Sequence, residues 1–288
     1  MSSISVASFN IQYSLGADNA YDIKRSIDVV RDADIICLQE IDRNWRRTKM
    51  ADQFAEIQAL LPDRYAVFGP WLDVDASTIN PDGSVDNRRR QGGQMTISRY
   101  PIASSRVIHL PKLDTGPTMN MWSIFVESVV MTPISPVRVI NLHLTDSSES
   151  SRIEEISFLI DQCTKATLEG GAWNGEAWDA ESMEHWQLND PAPPMPEAII
   201  LAGDFNAEPD SPVIERVVEA GYHDTWQPSG TFRPGVTFKT NPDQGTDSDM
   251  RIDYIFVSSH FDVIDSSIDE STGASDHQPV WARLKVNK

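Results

Sequence analysis

Alternating and helical spacings of apolar residues trade places along the chain. Ile4-Ser-Val-Ala-Ser-Phe9 reads as a strand running into Asn10, and Ile23, Ile27 and Val30 recur at the spacing of an amphipathic helix. Asp34-Ile-Ile-Cys-Leu-Gln-Glu40 has the near-continuous hydrophobicity of a strand covered on both faces, and it ends on a carboxylate. Phe54, Ile57 and Leu60 predict a second helix, stopped by Pro62. Short strands with turn signals follow, at 65–68, 94–98, 107–110, 123–130 and 137–144, with a surface turn at Asn80-Pro-Asp-Gly83. Ile153, Ile156, Leu159 or Ile160, and Cys163 mark a third helix. A strand at 198–202 continues into Gly203-Asp-Phe-Asn206, and Ser211-Pro212 starts a helix that Gly221 closes. Strands are expected again at 251–258, 261–268 and 278–286. Strands outnumber helices, and most helices stand alone between strands. That order predicts two packed sheets with helices outside, an α/β sandwich in one domain spanning 1–288.

One segment breaks the rhythm. Residues 170–196 are rich in Gly, Pro and acid, contain no Lys or Arg, and carry Trp173, Trp178 and Trp186. The stretch reads as an insertion. It is either a surface loop whose tryptophans pack back on the domain or a lid over an apolar part of a substrate.

Composition narrows the class. The chain of 288 residues is 40% hydrophobic, enough to bury a core, which excludes general disorder. No run approaches the roughly 20 apolar residues that span a bilayer. The start, Met1-Ser-Ser-Ile-Ser-Val-Ala, lacks the basic and apolar regions of a signal peptide. A cytoplasmic protein is expected, a monomer by default, with Cys37 and Cys163 as small core residues. With 24 Lys+Arg against 43 Asp+Glu, the net charge is −19, which opposes an extended polyanion as partner. The cations are unevenly spread, however. Arg43, Arg46, Arg47 and Lys49 form one run and Arg88, Arg89 and Arg90 another, so 7 of the 24 fall in two expected loops. A charge run is usually a solvated face, but a substrate with a second phosphate or a polyanionic head group also explains these two.

The candidate chemistry lies at strand ends. Asn10, Glu40, His143, Asp204, Asn206, Asp253, Asp276 and His277 all stand at or just after the ends of expected strands. Singly, each is an ordinary turn former or a hydrogen-bonded histidine. Sheets gather such ends at one edge, where carboxylates and two imidazoles could form one pocket for a hard cation and its substrate.

Seven segments, in order, resemble the motifs of the endonuclease/exonuclease/phosphatase family of metal-dependent hydrolases. They are Ala7-Ser-Phe-Asn10-Ile, Leu38-Gln-Glu40-Ile-Asp, Gly93-Gln-Met-Thr-Ile-Ser98-Arg99-Tyr-Pro-Ile102, Asn141-Leu-His143-Leu, Leu201-Ala-Gly-Asp204-Phe-Asn206-Ala, Arg251-Ile-Asp253-Tyr-Ile-Phe and Ser275-Asp276-His277-Gln-Pro. Pro209-Asp-Ser211 and Asp42-Arg43 extend the match, and Gly92-Gly-Gln-Met departs from the family's usual Gly-Asn-Ala. The resemblance implies a four-layer α/β/β/α sandwich of two mixed β-sheets, DNase I-like. It also implies a Mg2+-dependent phosphoesterase, with Mn2+ as the alternative ion.

By that resemblance Glu40 is the principal metal ligand, with Asn10 and Asp276 close by. Asp204 orients or deprotonates the attacking water, and Asn206 holds the water or a phosphate oxygen. His277 binds the scissile phosphate with Asp253 fixing its tautomer, and His143 serves the leaving oxygen or the phosphate. Arg43, Arg46, Arg47, Arg90 and Arg99 are candidates for binding substrate phosphate. The acidic balance favours a small-molecule substrate or a lipid head group. The arginine runs leave a nuclease acting on nucleic acid open. A non-catalytic binding module would show gaps among the eight positions, and none is substituted.

Overall fold

The computed structural model describes residues 3–114, 116–117, 119–175, 179, 181, 184, 191–226, 235–239 and 249–287. The described strands form two six-stranded sheets and a small hairpin. The first sheet holds, in spatial order, β13 (Phe261–Ile268), β14 (Val280–Val286), β1 (Ile4–Asn10), β2 (Ile35–Arg43), β6 (Arg89–Ser98) and β3 (Tyr65–Asp75). The second holds β11 (His223–Asp224), β12 (Asp253–Val257), β10 (Ile199–Asp204), β9 (Pro136–His143), β8 (Ile124–Met131) and β7 (Ile102–His109). β4 (Thr78–Ile79) and β5 (Val85–Asp86) make the hairpin beyond the ends of β3 and β6. Each sheet has a central parallel pair, β1 with β2 and β9 with β10, because a helix crossover returns the chain to the same edge.

Those crossovers are α1 (Ile23–Val30) and α3 (Glu149–Glu169); α2 (Gln53–Leu60) and α4 (Pro212–Glu219) complete the helices that matter here. Each begins on a capping side chain: Asp22, Asp52, Ser148 and Ser211 accept from the backbone N–H of Arg25, Ala55, Ser151 and Ile214 respectively. A cap of this kind stabilises its helix by about 1 kcal/mol.

Alternation, interrupted in β2 between Leu38 and Ile41, divides the apolar residues into three layers. Ile4, Val6, Ile35 and Cys37 meet Val137, Val139, Ile200, Ala202, Ile255 and Val257 between the sheets. Ala7, Phe9, Ile36, Leu38 and Ile41 pack on the other face of the first sheet with Ile27, Val30 and Ile57. Ile140, Leu142, Leu201, Tyr254 and Phe256 do the same on the second sheet, against Ile156, Leu159, Val213 and Val217. The result is the expected four-layer sandwich. Each fully buried Val, Ile or Leu contributes roughly 1.5–3 kcal/mol to it.

Three local expectations need correction. β3 extends to Asp75, and Arg89 and Arg90 lie inside β6 rather than in a loop, because Asp75 pairs with Arg89 and Asp73 with Gln91 across the two strands. β7 starts at Ile102, where alternately half-buried and exposed residues make an edge strand whose polar members hide its period. The two-residue strand β11 carries no sequence signal. Within the 170–196 insertion, Trp173 is described, whereas Trp178 and Trp186 lie outside the described residues. No helix among the described residues is long and apolar enough to cross a membrane.

Candidate active site

The alternation that builds the inter-sheet layer also delivers the polar residues to it. On β1, Ile4 and Val6 face the second sheet, so Asn10 does too, fully buried at the strand's end. On β9 the same count from Val137 and Val139 reaches Asn141 and His143. On β10 it runs from Ile200 and Ala202 to Asp204, and on β12 Asp253 shares the face of Ile255 and Val257. Strand register then aligns them, since Asp204 stands opposite His143 on one side and Asp253 on the other.

Glu40 does not follow from alternation. Its neighbours Leu38 and Ile41 both pack on the helix side although they are three residues apart, which alternation forbids. The register of β2 against β6 shifts between them, and Glu40 takes φ 60°, a left-handed value. The bulge turns a side chain that would point among the helices back to the end of the inter-sheet layer.

Beneath the site Asn141, fully buried, ties the sheets together. Its Nδ2 donates to Leu38 O at 3.2 Å and Met95 O at 3.0 Å, and its Oδ1 accepts from Gln39 Nε2 at 2.8 Å.

Asp204 is the hub. Its Oδ1 accepts from the Asn206 backbone N–H at 2.8 Å, and its Oδ2 accepts from Asn10 Nδ2 at 3.0 Å. That same Oδ2 lies 3.4 Å from His143 Nε2 and 3.7 Å from His277 Nε2. Asn10 Nδ2 also donates to Glu40 Oε1 at 3.0 Å, so one amide spans the two carboxylates. Asn206 Nδ2 donates to Leu144 O at 2.9 Å and faces His143 Nε2 at 3.2 Å.

His277 Nδ1 donates to Asp253 Oδ2 at 2.8 Å. Burial works against a charged imidazole there, but the fields of Asp253, Asp204 and Asp276, with the Asp253 hydrogen bond, outweigh it and raise the His277 pKa. Asp253 and His277 therefore form a buried ion pair, and the Thr237 hydroxyl steadies it by accepting the Asp253 backbone N–H at 3.0 Å.

Two groupings could hold a metal ion. Asp204, Asp253 and His277 offer ligand atoms within 4.8 Å of one another. In that group Asp253 Oδ2 is already engaged by His277 Nδ1 at 2.8 Å. Glu40 and Asp276 offer a second pair of carboxylates. Burial pushes the Asp276 carboxyl up, and although His277 pulls it back, the Glu40 charge pushes it up further. Two carboxylates whose charges oppose each other in a half-closed site fit a hard cation, which relieves that repulsion. Gln12 Nε2 donates to Asp276 Oδ2 at 2.6 Å, and the Ser275 hydroxyl donates to Asn10 O at 2.8 Å, fixing both.

All eight strand-end residues thus converge, but the candidate arginines divide. Arg99 follows β6 at the opposite end of the first sheet and pairs with Asp34 at 3.2 Å; it does not reach the site, because β6 runs antiparallel to β2. Arg43 is also a correction. It lies on the outer face near the rings of Phe54 and Phe68, held by Asp52 at 2.7 and 2.8 Å and by Gln91. Arg47 lies against the Tyr13 and Trp45 rings, with Arg90 beside Trp45 and Arg46 in the turn that follows β2. Gln12, Tyr13, Thr237 and Glu155 are additions the sequence reading missed. The first two directly follow the Asn10 motif, which is a usable signal; Thr237 and Glu155 lie in no motif.

The sequence profile of the Endonuclease/Exonuclease/phosphatase family matches residues 7–277. No curated protein gives a significant match. Solved structures share the fold. An endonuclease/exonuclease/phosphatase from Beutenbergia cavernae is 21% identical, with 100% of this chain and 72% of that chain covered and a TM-score of 0.67. The catalytic domain of human Nocturnin, with bound sulfate, is 17% identical, with 99% and 94% covered and a TM-score of 0.61. A mannosyl-6-phosphatase from Bacteroides thetaiotaomicron is 19% identical, with 98% and 99% covered and a TM-score of 0.60.

Proposed function

This chain belongs to the endonuclease/exonuclease/phosphatase family of metal-dependent phosphoester hydrolases, and we propose that it hydrolyses a small-molecule or lipid-derived phosphoester by in-line attack of water. The observation that carries this reading is the placement of Asp204 Oδ2, which one amide and two imidazoles face at 3.0, 3.4 and 3.7 Å. Glu40, Asp276 and Asn10 would hold a divalent cation, magnesium or manganese, whose contribution is to neutralise charge on the nonbridging phosphate oxygens.

Asp204 acts on the water. Asn10 and the Asn206 N–H fix its two oxygens, so the carboxylate stays aimed as it orients the nucleophile and accepts its proton. His277, kept protonated by Asp253, presents Nε2–H to the phosphoryl oxygens as negative charge grows on them. His143 approaches the same hub from β9 and is placed to serve the leaving oxygen. The small or lipid-derived substrate is favoured over a polymer by the net charge of −19, together with the neutralisation of Arg43, Arg47, Arg88 and Arg89 by carboxylates. No long basic track is left for an extended backbone among the described residues.

The test is turnover of bis(p-nitrophenyl) phosphate beside p-nitrophenyl phosphate, with magnesium and then with a chelator. Metal-dependent release of nitrophenol from either supports the reading and reports whether diesters or monoesters are preferred. No turnover of either, with magnesium bound, would count against it.

A further inference from the structure

The two basic runs divide by what their guanidinium groups already hold. Arg43 is paired with Asp52, Arg47 with Asp42, Arg88 with Asp86 and Arg89 with Asp73. Arg46, Lys49 and Arg90 have no carboxylate partner among the described residues. These three lie together. The loop after β2 is closed by Lys49 N–H to Arg46 O at 3.0 Å and Met50 N–H to Trp45 O at 2.7 Å. Arg90 comes to it from β6, its guanidinium carbon 5.8 Å from the centre of the Trp45 ring.

A rigid ledge joins this cluster to the catalytic carboxylates. The buried Asp42 grips Arg47 with two bonds of 2.8 Å, and the Arg47 guanidinium carbon then lies 3.7 Å from the centre of the Tyr13 ring and 4.4 Å from that of Trp45. The Trp45 indole N–H is fixed on Gln91 O at 2.7 Å, and the Tyr13 carbonyl on Gln53 Nε2 at 2.7 Å. Gln12, the residue before Tyr13, donates its Nε2 to Asp276 Oδ2 at 2.6 Å, which ties this end of the ledge to the catalytic carboxylates. The order outward from Tyr13 is Arg47, Trp45 and Arg90, and the turn that carries Arg46 and Lys49 is the one that holds Trp45 and Arg47.

We propose that Arg46, Lys49 and Arg90 form a subsite for a second anionic group, a phosphate or similar oxyanion, on the non-reacting half of the substrate. The proposal rests on the phosphoesterase reading and specifies what that site selects. In a chain of charge −19, cations left uncompensated at the rim of an anion-processing site are the groups free to make charge-assisted hydrogen bonds. The ledge disfavours a stacked nucleobase, because Arg47 lies against both the Tyr13 and Trp45 rings and Arg90 against Trp45. Charge, rather than a free aromatic face, is what it offers.

The test is calorimetric titration of the full chain in magnesium with propylphosphonate and with α,ω-alkanebisphosphonates of increasing length. At a matching length the bisphosphonate should bind at least about tenfold more tightly than propylphosphonate. Arg46→Ala and Arg90→Ala should each remove most of that advantage and leave propylphosphonate binding unchanged. Arg89→Ala deletes the same charge one residue away, but from a guanidinium already held by Asp73, and should preserve the advantage. Equal binding of mono- and bisphosphonates, or equal loss in Arg89→Ala and Arg90→Ala, overturns the subsite while leaving the phosphoesterase site standing. Failure of every phosphonate to bind overturns both.

Discussion

Glu155 on α3 offers a test of how the site is held from behind. It is 2% exposed, its Oε2 accepts the Thr145 N–H at 2.8 Å, and Arg152 Nη1 donates to Thr145 O at 3.2 Å. Thr145 is two residues past His143, so α3 clamps the strand end that carries the imidazole. Burial pushes the Glu155 carboxyl from 4.5 to about 7, partly opposed by the Thr145 N–H, the Ser123 hydroxyl and the charges of His143 and Arg152. The folded pKa is above the unfolded one, so between these values the folded state holds more protons, and stability falls as pH rises through the window. A rise from 4.5 to about 7, at 1.36 kcal/mol per pH unit, is about 3 kcal/mol lost above neutrality. Glu155→Gln removes the ionisation and keeps an acceptor for the Thr145 N–H.

Urea unfolding of both proteins at about pH 5 and about pH 8 measures the difference, and other titrating groups cancel in the comparison. The variant should gain about 2.5 kcal/mol relative to wild type over that interval, since part of the loss already lies below pH 5. A stability difference that stays constant with pH would refute the reasoning.

Further outcomes follow from the same contacts. Asn141→Leu removes the shortest bond of the Gln39 amide and the amide donor shared by the Leu38 and Met95 carbonyls between the sheets, and should cost about 2–4 kcal/mol by chemical denaturation; a loss below about 1 kcal/mol contradicts the role given to Asn141. Gly203→Ala places a Cβ against the Leu142 carbonyl where β10 pairs with β9, so the variant should melt several degrees lower, and an unchanged melting temperature would be contrary evidence. Magnesium at about a hundredfold excess over its Kd should stabilise the wild type by about 2.7 kcal/mol in thermal melts. Glu40→Gln should abolish that gain, and retention of the full gain would move the ion to other ligands.

Much of the fold was legible because one rule, alternation, does two jobs. Val6 and Ala202 fix which faces meet between the sheets, and the same parity carries Asn10 and Asp204 to that layer. Glu40 was legible as a strand-end carboxylate, but its direction was not, since it depends on a left-handed bulge that no residue type announces. Arg99 and Arg43 misled because a motif or a charge run fixes position along the chain and not which end or face of a sheet a long side chain occupies. Glu155 was invisible for the opposite reason. A carboxylate among Ile153, Ile156 and Leu159 reads as the polar side of a helix, and only the meeting of α3 with the end of β9 buries it.

The central claim is that the Asp204 carboxylate activates water for metal-dependent phosphoester hydrolysis, and the most direct measurement is the turnover of Asp204→Asn beside wild type in magnesium. The substitution is nearly isosteric and should leave the circular dichroism spectrum unchanged. A fall in kcat of about 10²–10⁴-fold is the result predicted for loss of a positioned general base. Turnover within a few fold of wild type, from a folded variant free of contaminating activity, would contradict it.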